Sequence, residues 1–189
     1  MELTLERLMA VMPHAGKARC EKYLPYLKAA MSEFGIDKSM LRMAHFLAQV
    51  AHESGEMRYT KELASGKAYE GRKDLGNTQK GDGVKFKGRG FLQVTGRANY
   101  SRYKVYCGYD VVSRPELLEQ PKGATRSAAW VFCKGLGLNL CLYADLDNGE
   151  NTEEILKKIT KRINGGYNGL GSRREYLRKA KIALNTLNY

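Results

Sequence analysis

The sequence predicts a mainly α-helical protein, for three reasons. Apolar residues recur at helical spacing in most of the chain, between candidate caps and glycine stops. Helical periodicity is lost in only one long stretch, residues 66–90, where glycine, lysine and polar residues dominate. No internal repeat, low-complexity tract or Pro/Gly/Ser-rich linker interrupts the 189 residues, so we expect one domain over residues 1–189.

The first three helices begin and end at recognisable residues. The first is expected over Thr4–Met12, with its first residue as N-cap. The second is expected over Ala18–Phe34 and stops at Gly35, a residue typical of helix ends. Asp37 and Ser39 are both candidate N-caps for the third helix.

The remaining elements are turns followed by shorter helices. The stretch GNTQKGDGVKFKGRG, residues 76–90, predicts turns with one short β-hairpin. Helical patterns return over residues 100–106, 115–118, 125–136 and 152–163. After the glycine-rich turn NGGYNGLG, the last helix is expected to begin at Ser172 and to end near Leu187.

The third helix, Ser39–Glu53, is apolar except for one narrow strip. On a helical wheel its apolar side chains cover roughly 220° of the circumference. The strip consists of Arg42, His45, Gln49, His52 and Glu53. A helix this apolar packs on more than one side, and a strip without lysine favours the floor of a cleft over an ordinary solvent-facing surface. Both interpretations of the strip remain open on the sequence alone.

Metal and nucleophile chemistry find little support in the sequence. The stretch from His52 to Glu56 begins like the zinc motif HExxH, but Glu56 stands where the second histidine would be. With three histidines and no cysteine pair spaced as CxxC, neither a metal nor another cofactor is predicted. No G-x-S-x-G nucleophile motif is present. The four cysteines are expected to be buried thiols.

Two carboxylates near the end of the third helix suggest a different chemistry. Glycoside hydrolysis uses one carboxyl group as an acid and a second that stays ionised in wetter surroundings. Glu53, at the end of a buried helix, suits an acid placed against a partly apolar wall. Glu62 would suit the second role if a separation of about 6.5–9.5 Å left room for a water, which is the inverting geometry. From spacing alone, an ordinary surface position is the better interpretation of Glu62.

The net charge of +12 limits the classes of partner. Such a field attracts polyanions: nucleic acid, anionic lipid or an acidic cell-wall polymer. Lysines and arginines are scattered and no nucleic-acid-binding motif is present, so nucleic acid is not an expected partner. No run of ~20 apolar residues predicts membrane insertion. The first residues lack the basic leader and apolar core of a secretory signal, which predicts synthesis and retention in the cytoplasm.

Several short motifs are spread from about Phe46 to Arg173. The longest and most specific is GRGFLQVTGRANY, residues 88–100. The others are AHESG (51–55), YEGR (69–72), LGNT (75–78), GDG (81–83) and INGG (163–166). Together these motifs resemble glycoside hydrolase family 19, which contains plant-type chitinases and phage endolysins. The resemblance implies a lysozyme-like, family 19 chitinase-like helical domain with a substrate cleft.

The resemblance also implies catalytic roles for the matching residues. Glu53 falls where the family has its general acid. Glu62 falls near the general base of the family, with Glu56 and Glu70 as lower-ranked rivals. Thr95 matches a hydroxyl residue that helps to hold the attacking water.

A second set of residues is implied to bind the glycan. It comprises His52, Arg89, Gln93, Asn99, Tyr100, Asn164 and Arg173. Arg173 is expected to pair with the catalytic carboxylates, and the adjacent Arg174 is the alternative. Tyr100 can stack on a sugar face, although ordinary packing in the core is an equally open interpretation of this ring.

Two departures from the plant enzymes indicate the phage-endolysin branch, because the chain lacks their disulfide-rich pattern and its loops look short. The expected enzyme is an endolysin that cleaves β-1,4 bonds of peptidoglycan by inversion. A chitinase acting on N-acetylglucosamine polymers is the alternative. The endolysin would be a monomer without a separate wall-binding module, held in the host cytoplasm until a holin opens the membrane. The last helix is interpreted first as one that closes the core, with the basic side chains of Arg178, Lys179 and Lys181 merely solvated. The alternative is that this basic side helps to hold the enzyme on the anionic envelope.

Overall fold

The computed structural model describes residues 2–186 and confirms the mainly α-helical fold class. Its α-helices are α1 (Leu5–Val11), α2 (Lys17–Glu33), α3 (Met40–Ser54), α4 (Asp82–Lys85), α5 (Arg97–Cys107), α6 (Pro121–Trp130), α7 (Leu140–Ala144), α8 (Thr152–Asn164) and α9 (Leu170–Ala183). Short 3-10 turns occur at Lys67–Tyr69, Lys73–Leu75 and Pro115–Glu119, and a π-helical turn, Val131–Gly135, continues α6.

The predicted helix starts are confirmed by their capping hydrogen bonds. The Thr4 hydroxyl accepts from the backbone amide of Arg7 at 3.3 Å, before the first turn of α1. The Ser39 hydroxyl accepts from the amide of Arg42 at 3.4 Å, so Ser39 rather than Asp37 caps α3. These caps were recognisable in the sequence because each satisfies a backbone donor only three residues away.

The irregular stretch after α3 lacks the short β-hairpin that the sequence predicted. Across residues 2–186, β pairing is limited to isolated antiparallel bridges between Lys61 and Arg89 and between Arg89 and Val94. Gly90 and Gln93 have φ angles of +80° and +55°, so the chain turns back within a few residues. Two left-handed residues this close together leave no room for an extended ladder.

Helix α3 lies at the centre of the protein. Ten of its 15 residues are buried, which confirms that it is packed on more than one side. It packs most extensively along α9 and also touches α1 and α7. Because α9 covers the middle of the polar strip of α3, His45 and Gln49 are fully buried, and only the two ends of the strip, Arg42 and the pair His52 and Glu53, reach the surface. The strip is therefore not the floor of a cleft along its whole length.

The last helix differs from expectation on its basic side. Helix α9 begins at Leu170, and the predicted end near Leu187 lies outside the described residues. Lys181, expected to be solvated, is only 7% exposed. Its ammonium donates to Asp147 Oδ1 at 2.9 Å and to Thr152 Oγ1 at 2.7 Å. The expectation is wrong for Lys181, because this position of α9 faces the turn that precedes α8.

The cysteines are buried free thiols, as predicted. Cys133 and Cys141 lie next to each other, with 3.4 Å between their sulfur atoms. Among residues 2–186 no group of three or more histidine, cysteine, aspartate or glutamate side chains is placed to hold a metal ion. In the same part of the chain, no helix combines the length and the apolar character that crossing a membrane requires.

Candidate active site

Glu53 lies in the last turn of α3, where its side chain is 19% exposed. Its Oε1 accepts a hydrogen bond from Arg173 Nη2 at 2.5 Å. Within residues 2–186, Oε2 accepts none, so one carboxylate oxygen is fixed and the other is available to a ligand. Within residues 2–186, the polar contact of this carboxyl group is a guanidinium group, in line with the arginine pairing that the resemblance implies.

Arg173 is itself fixed from two further directions. It is fully buried, and its Nη1 donates to Gln49 Oε1. Its Nε donates to the backbone oxygen of Asn168 at 3.4 Å. The adjacent Arg174 instead pairs with Glu153 on the surface. Of the two arginines that the sequence left open, Arg173 is therefore the one that contacts Glu53.

The orientation of Gln49 is set by a hydrogen bond that sequence reasoning missed. Its amide nitrogen lies 3.5 Å from Thr160 Oγ1 on α8. With its nitrogen directed at Thr160, the amide turns its oxygen toward Arg173. Gln49 stands one helical turn before Glu53 in the polar strip, and this spacing was the only signal in the sequence that the two act together.

His52 supports the turn between α8 and α9. Its Nδ1 lies 3.0 Å from Ser172 Oγ, and the backbone of Gly169 packs directly against the ring. Burial and, to a smaller extent, the charge of Arg173 lower the pKa of His52, while Glu53 opposes the shift. His52 is therefore neutral at pH 7. We refer to Glu53, Arg173, Gln49 and His52 as the Glu53 cluster.

Glu62 is held mainly by backbone groups. Its amide donates to the carbonyl oxygen of Gly88 at 2.9 Å, and its Oε2 accepts from the Gly88 amide at 2.8 Å. A side chain at position 88 would overlap with Glu62 Oε2 and with Gln93 Oε1. Burial raises the pKa of the Tyr69 hydroxyl, and the neighbouring Glu62 carboxylate raises it further. Because Gly88 has no side chain, the carboxylate of Glu62 and the amide of Gln93 can both lie close to its backbone.

The loop motif places Thr95 and Asn99 close to Gln93. Thr95 Oγ1 donates to the backbone oxygen of Gln93 at 3.1 Å, and Asn99 Nδ2 donates to the backbone oxygen of Thr95 at 2.7 Å. All three residues are partly exposed. We refer to Glu62, Gly88, Gln93 and Thr95 as the Glu62 cluster. No hydrogen bond among residues 2–186 joins it to the Glu53 cluster.

The two rival carboxylates are occupied elsewhere. Glu56 is 3% exposed and accepts from the backbone and ring nitrogens of His14 at 2.6 and 2.8 Å and from the Tyr176 hydroxyl at 2.8 Å. Glu70 accepts from two backbone amides of residues 81–83, at 2.6 and 2.8 Å. Each of them fastens one loop to another part of the molecule.

Tyr100 and Arg89, expected to contact the glycan, are framework residues. Tyr100 is fully buried, packs against Phe86, and donates its hydroxyl to the backbone oxygen of Lys87 at 2.8 Å. Burial raises the pKa of this hydroxyl. Arg89 is 8% exposed and donates to Tyr100 and to Glu119. The prediction of sugar stacking is therefore wrong for Tyr100, and the alternative, packing in the core, is correct.

Asn164 ends α8 and is exposed. The turn that follows it begins with Gly165 in the left-handed conformation and reaches the Glu53 cluster at Gly169 and Asn168. The structure thus brings His52 and Arg173 together at the C-terminal end of α3, and Asn164 stands just before the turn that reaches them. Gln93 lies beside Glu62 at Gly88, and Thr95 and Asn99 are linked to Gln93 through backbone hydrogen bonds.

No family model matches the chain. A family 19 glycosyl hydrolase domain-containing protein of Haemophilus influenzae is 27% identical over 208 residues, with 93% of this chain and 94% of that protein covered. An endochitinase of Arabidopsis thaliana is 30% identical over 125 residues, which cover 66% of this chain and 39% of that protein.

Solved structures of chitinases share the fold. Chitinase C from Streptomyces griseus superimposes with a TM-score of 0.73 at 19% identity, over 96% of this chain and 76% of that chain. A bacterial family 19 chitinase gives a TM-score of 0.64 at 19% identity, over 97% of this chain and 94% of that chain. The solved structures show a shared fold, and the motifs with the match over nearly the full length of the bacterial relative show that the chain is similar to glycoside hydrolases of family 19.

Proposed function

We propose that the protein is an endolysin that hydrolyses β-1,4 glycosidic bonds in the glycan strands of peptidoglycan by an inverting mechanism. The observation that carries the proposal is the environment of Glu53. A buried arginine fixes one of its oxygens, and the other lies free at the exposed end of a rigid helix. A group that transfers a proton needs this combination of fixed position and open access.

In the proposed mechanism, Glu53 is the general acid. Its free Oε2 gives a proton to the leaving glycosidic oxygen. The carboxylate that remains is stabilised by Arg173, which already contacts Oε1. Because Gln49 and the backbone of Asn168 hold the guanidinium, this stabilisation requires no rearrangement during the reaction.

Glu62 is the proposed general base. The Gly88 amide holds its Oε2, which leaves Oε1 to take a proton from the attacking water. Thr95 donates its own hydroxyl proton to a backbone oxygen, so its lone pairs can accept a hydrogen bond from that water. An inverting enzyme places the two carboxyl groups about 6.5–9.5 Å apart, so that this water fits between Glu62 and the sugar.

The choice of peptidoglycan rests on charge. A net charge of +12 favours an acidic wall polymer over uncharged chitin, since the field of the protein concentrates polyanions near its surface. We further propose that the enzyme acts as a monomer and remains in the host cytoplasm until a holin opens the membrane. Chitin hydrolysis is the second candidate, favoured by the chitinases among the similar proteins.

The test compares two substrates with one enzyme preparation. Purified sacculi are followed by loss of turbidity, and N-acetylglucosamine oligomers by chromatography, with Glu53→Gln as the matched inactive control. We expect clearing of the sacculi, and mass spectrometry of the released reducing ends identifies the bond that is cut. If the oligomers are hydrolysed and the sacculi remain intact, chitinase activity replaces the endolysin proposal. No hydrolysis of either polymer would reject both.

A further inference from the structure

The turn between α8 and α9, residues 165–169, is fastened to the Glu53 cluster at its C-terminal end. Gly169 lies so close to the His52 ring that any side chain at this position would overlap with ring atoms. The backbone oxygen of Asn168 accepts from Arg173 Nε at 3.4 Å. The turn is therefore fixed in position beside the proposed general acid, because the same arginine holds Glu53.

Tyr167 stands in this turn, one residue before Asn168, and its ring is exposed. At 53% it is the most exposed tyrosine among the described residues. Two other surface tyrosines have partners, since the Tyr109 hydroxyl accepts from Lys122 and Tyr106 lies beside Phe34. Tyr26 on α2 is 39% exposed and, like Tyr167, has no such partner among the described residues. Within residues 2–186, the Tyr167 ring stacks on no aromatic side chain and faces no cation, and its hydroxyl makes no hydrogen bond.

The backbone of the turn also limits how the ring can move. The amide of Leu170 donates to the carbonyl oxygen of Tyr167 at 3.1 Å, which closes the turn immediately before α9. A tyrosine on a fixed backbone has only two side-chain torsions to restrict on binding, so ordering the ring costs little entropy. An unpartnered aromatic ring on a rigid turn is a surface suited to a ligand with an apolar face.

We infer that Tyr167 forms a binding subsite beside Glu53, in which its ring stacks on a pyranose ring of the glycan strand. The apolar face of a pyranose, lined with C–H groups, matches the face of an aromatic ring, while the sugar hydroxyls stay at the wet edge. Exposed Asn164 and Asn168, on either side in sequence, supply amides for those hydroxyls. This subsite deepens the proposed function and rests on the substrate being a glycan.

Binding is tested directly by fluorescence. The protein has one tryptophan, Trp130, which is 5% exposed, so Tyr167→Trp introduces a second indole in an exposed position. The variant is prepared together with Glu53→Gln to slow turnover, and it is titrated with N-acetylglucosamine hexamer and with peptide-free glycan fragments of peptidoglycan. We expect a saturable blue shift of the emission with at least one of these probes. The matched control is Tyr109→Trp, at a position that is 49% exposed and outside the turn, and its emission should not respond.

Kinetics separate a stacking role from a structural one. Tyr167→Ala should raise KM about threefold to tenfold, the range expected for loss of one aromatic contact, while kcat changes less than about twofold. Tyr167→Phe and Tyr167→Trp should keep the wild-type KM, because each retains a ring. The melting temperature of all three variants should match that of the wild type, since Tyr167 is 53% exposed and its side chain has no aromatic, cationic or hydrogen-bonding partner among the described residues.

The results of these experiments distinguish failure of the subsite proposal from failure of the proposed function. An unresponsive Tyr167→Trp emission, or an unchanged KM in Tyr167→Ala, would overturn the subsite even if the wild type clears sacculi. A saturable emission shift with either glycan supports the subsite even if the wild type hydrolyses neither substrate. In that last case the catalytic proposal alone would fail.

Discussion

The two carboxylates proposed for catalysis are held by different kinds of group. Glu53 is held by side chains, because Arg173 contacts its Oε1 and Gln49 contacts Arg173. Glu62 is held by the backbone of Gly88, whose amide and carbonyl groups both bond to it. The arginine lies 120 residues from Glu53 in sequence, whereas Gly88 lies 26 residues from Glu62.

This difference indicates how each cluster responds to mutation. A buried side-chain partner can be deleted, and its loss leaves an unpaired polar group in the protein interior. A backbone partner cannot be deleted by substitution, but a larger residue can displace the carboxylate that it holds. Changes in the Glu53 cluster should therefore affect stability and activity together, and changes in the Glu62 cluster should affect activity with little loss of stability.

The largest effect is expected when either carboxylate is replaced by its amide. Glu53→Gln and Glu62→Gln keep nearly the same shape but cannot transfer the proton, and general acid–base catalysis is typically worth about 10²–10⁴-fold in rate. Turnover on the hydrolysed polymer is the measurement, with Glu70→Gln as the control that should retain activity. A Glu53→Gln protein with more than about a tenth of wild-type turnover would remove Glu53 from the acid role.

Removing the side-chain partner of Glu53 should affect both properties. Arg173→Met leaves Glu53 and the buried oxygen of Gln49 without a donor, and breaking a buried ion pair typically costs about 3–5 kcal/mol. The control, Arg174→Met, removes an exposed pair with Glu153, for which less than about 1 kcal/mol is expected. Urea unfolding and sacculus clearing are measured on both variants. If the two variants had equal free energies of unfolding, burial of Arg173 would not make its ion pair more important for stability than the exposed pair of Arg174.

Asp147 links α3 to α9. It accepts a hydrogen bond from His45 of α3 at 2.8 Å and another from Lys181 of α9 at 2.9 Å. Burial opposes ionisation of Asp147, but hydrogen bonds from His45, Thr152 and Lys181 together hold its pKa well below the usual range. Lys181→Met should cost about 3 kcal/mol at pH 7, because it leaves a buried carboxylate with one donor fewer. Urea unfolding measures the cost, and activity should be unchanged.

The pH dependence of that cost has a definite sign. Because the pKa of Asp147 is lowered by folding, its contribution to stability is present above the unfolded value of about 3.9 and is lost as the pH falls below it. The free energies of unfolding of wild type and Lys181→Met should therefore begin to converge below about pH 4 and should continue to converge as the pH falls toward the lowered pKa of Asp147. Arg178→Met, which removes an exposed pair with Glu175, is the control and should show little effect at any pH. If the difference in free energy of unfolding between wild type and Lys181→Met did not change with pH, the loss of stability could not be attributed to the carboxylate of Asp147.

The smallest effect is expected in the Glu62 cluster. In Gly88→Ala the new methyl group would displace Glu62 Oε2 and Gln93 Oε1, which are the ends of flexible side chains. Although Gly88 is buried, the free energy of unfolding should change by less than about 1 kcal/mol, because the ends of these two side chains can move aside. Activity should fall up to about tenfold, since the proposed base is moved from its position. In the control, Gly171→Ala, the added methyl meets no atom within 4 Å. A large loss of stability in Gly88→Ala would show that the two clusters do not differ in the way described.

The sequence alone determined the features that depend on near neighbours. Thr4 and Ser39 cap their helices because a hydroxyl reaches a backbone amide three residues away, whatever the rest of the chain does. The stop of the second helix near Gly35 follows from local backbone preference. The long apolar face of α3 predicted correctly that this helix is packed on several sides.

Only the tertiary structure decided which side chains meet across long separations in sequence. The sequence could not choose between Arg173 and Arg174, or between sugar stacking and core packing for Tyr100. It predicted wrongly that Lys181 is solvated. Each outcome depends on which neighbour covers the residue: α9 turns Arg173 toward α3, and the segment at residues 86–89 covers Tyr100. Helical periodicity specifies the face on which a residue lies, but a partner 120 residues away decides whether that face is buried.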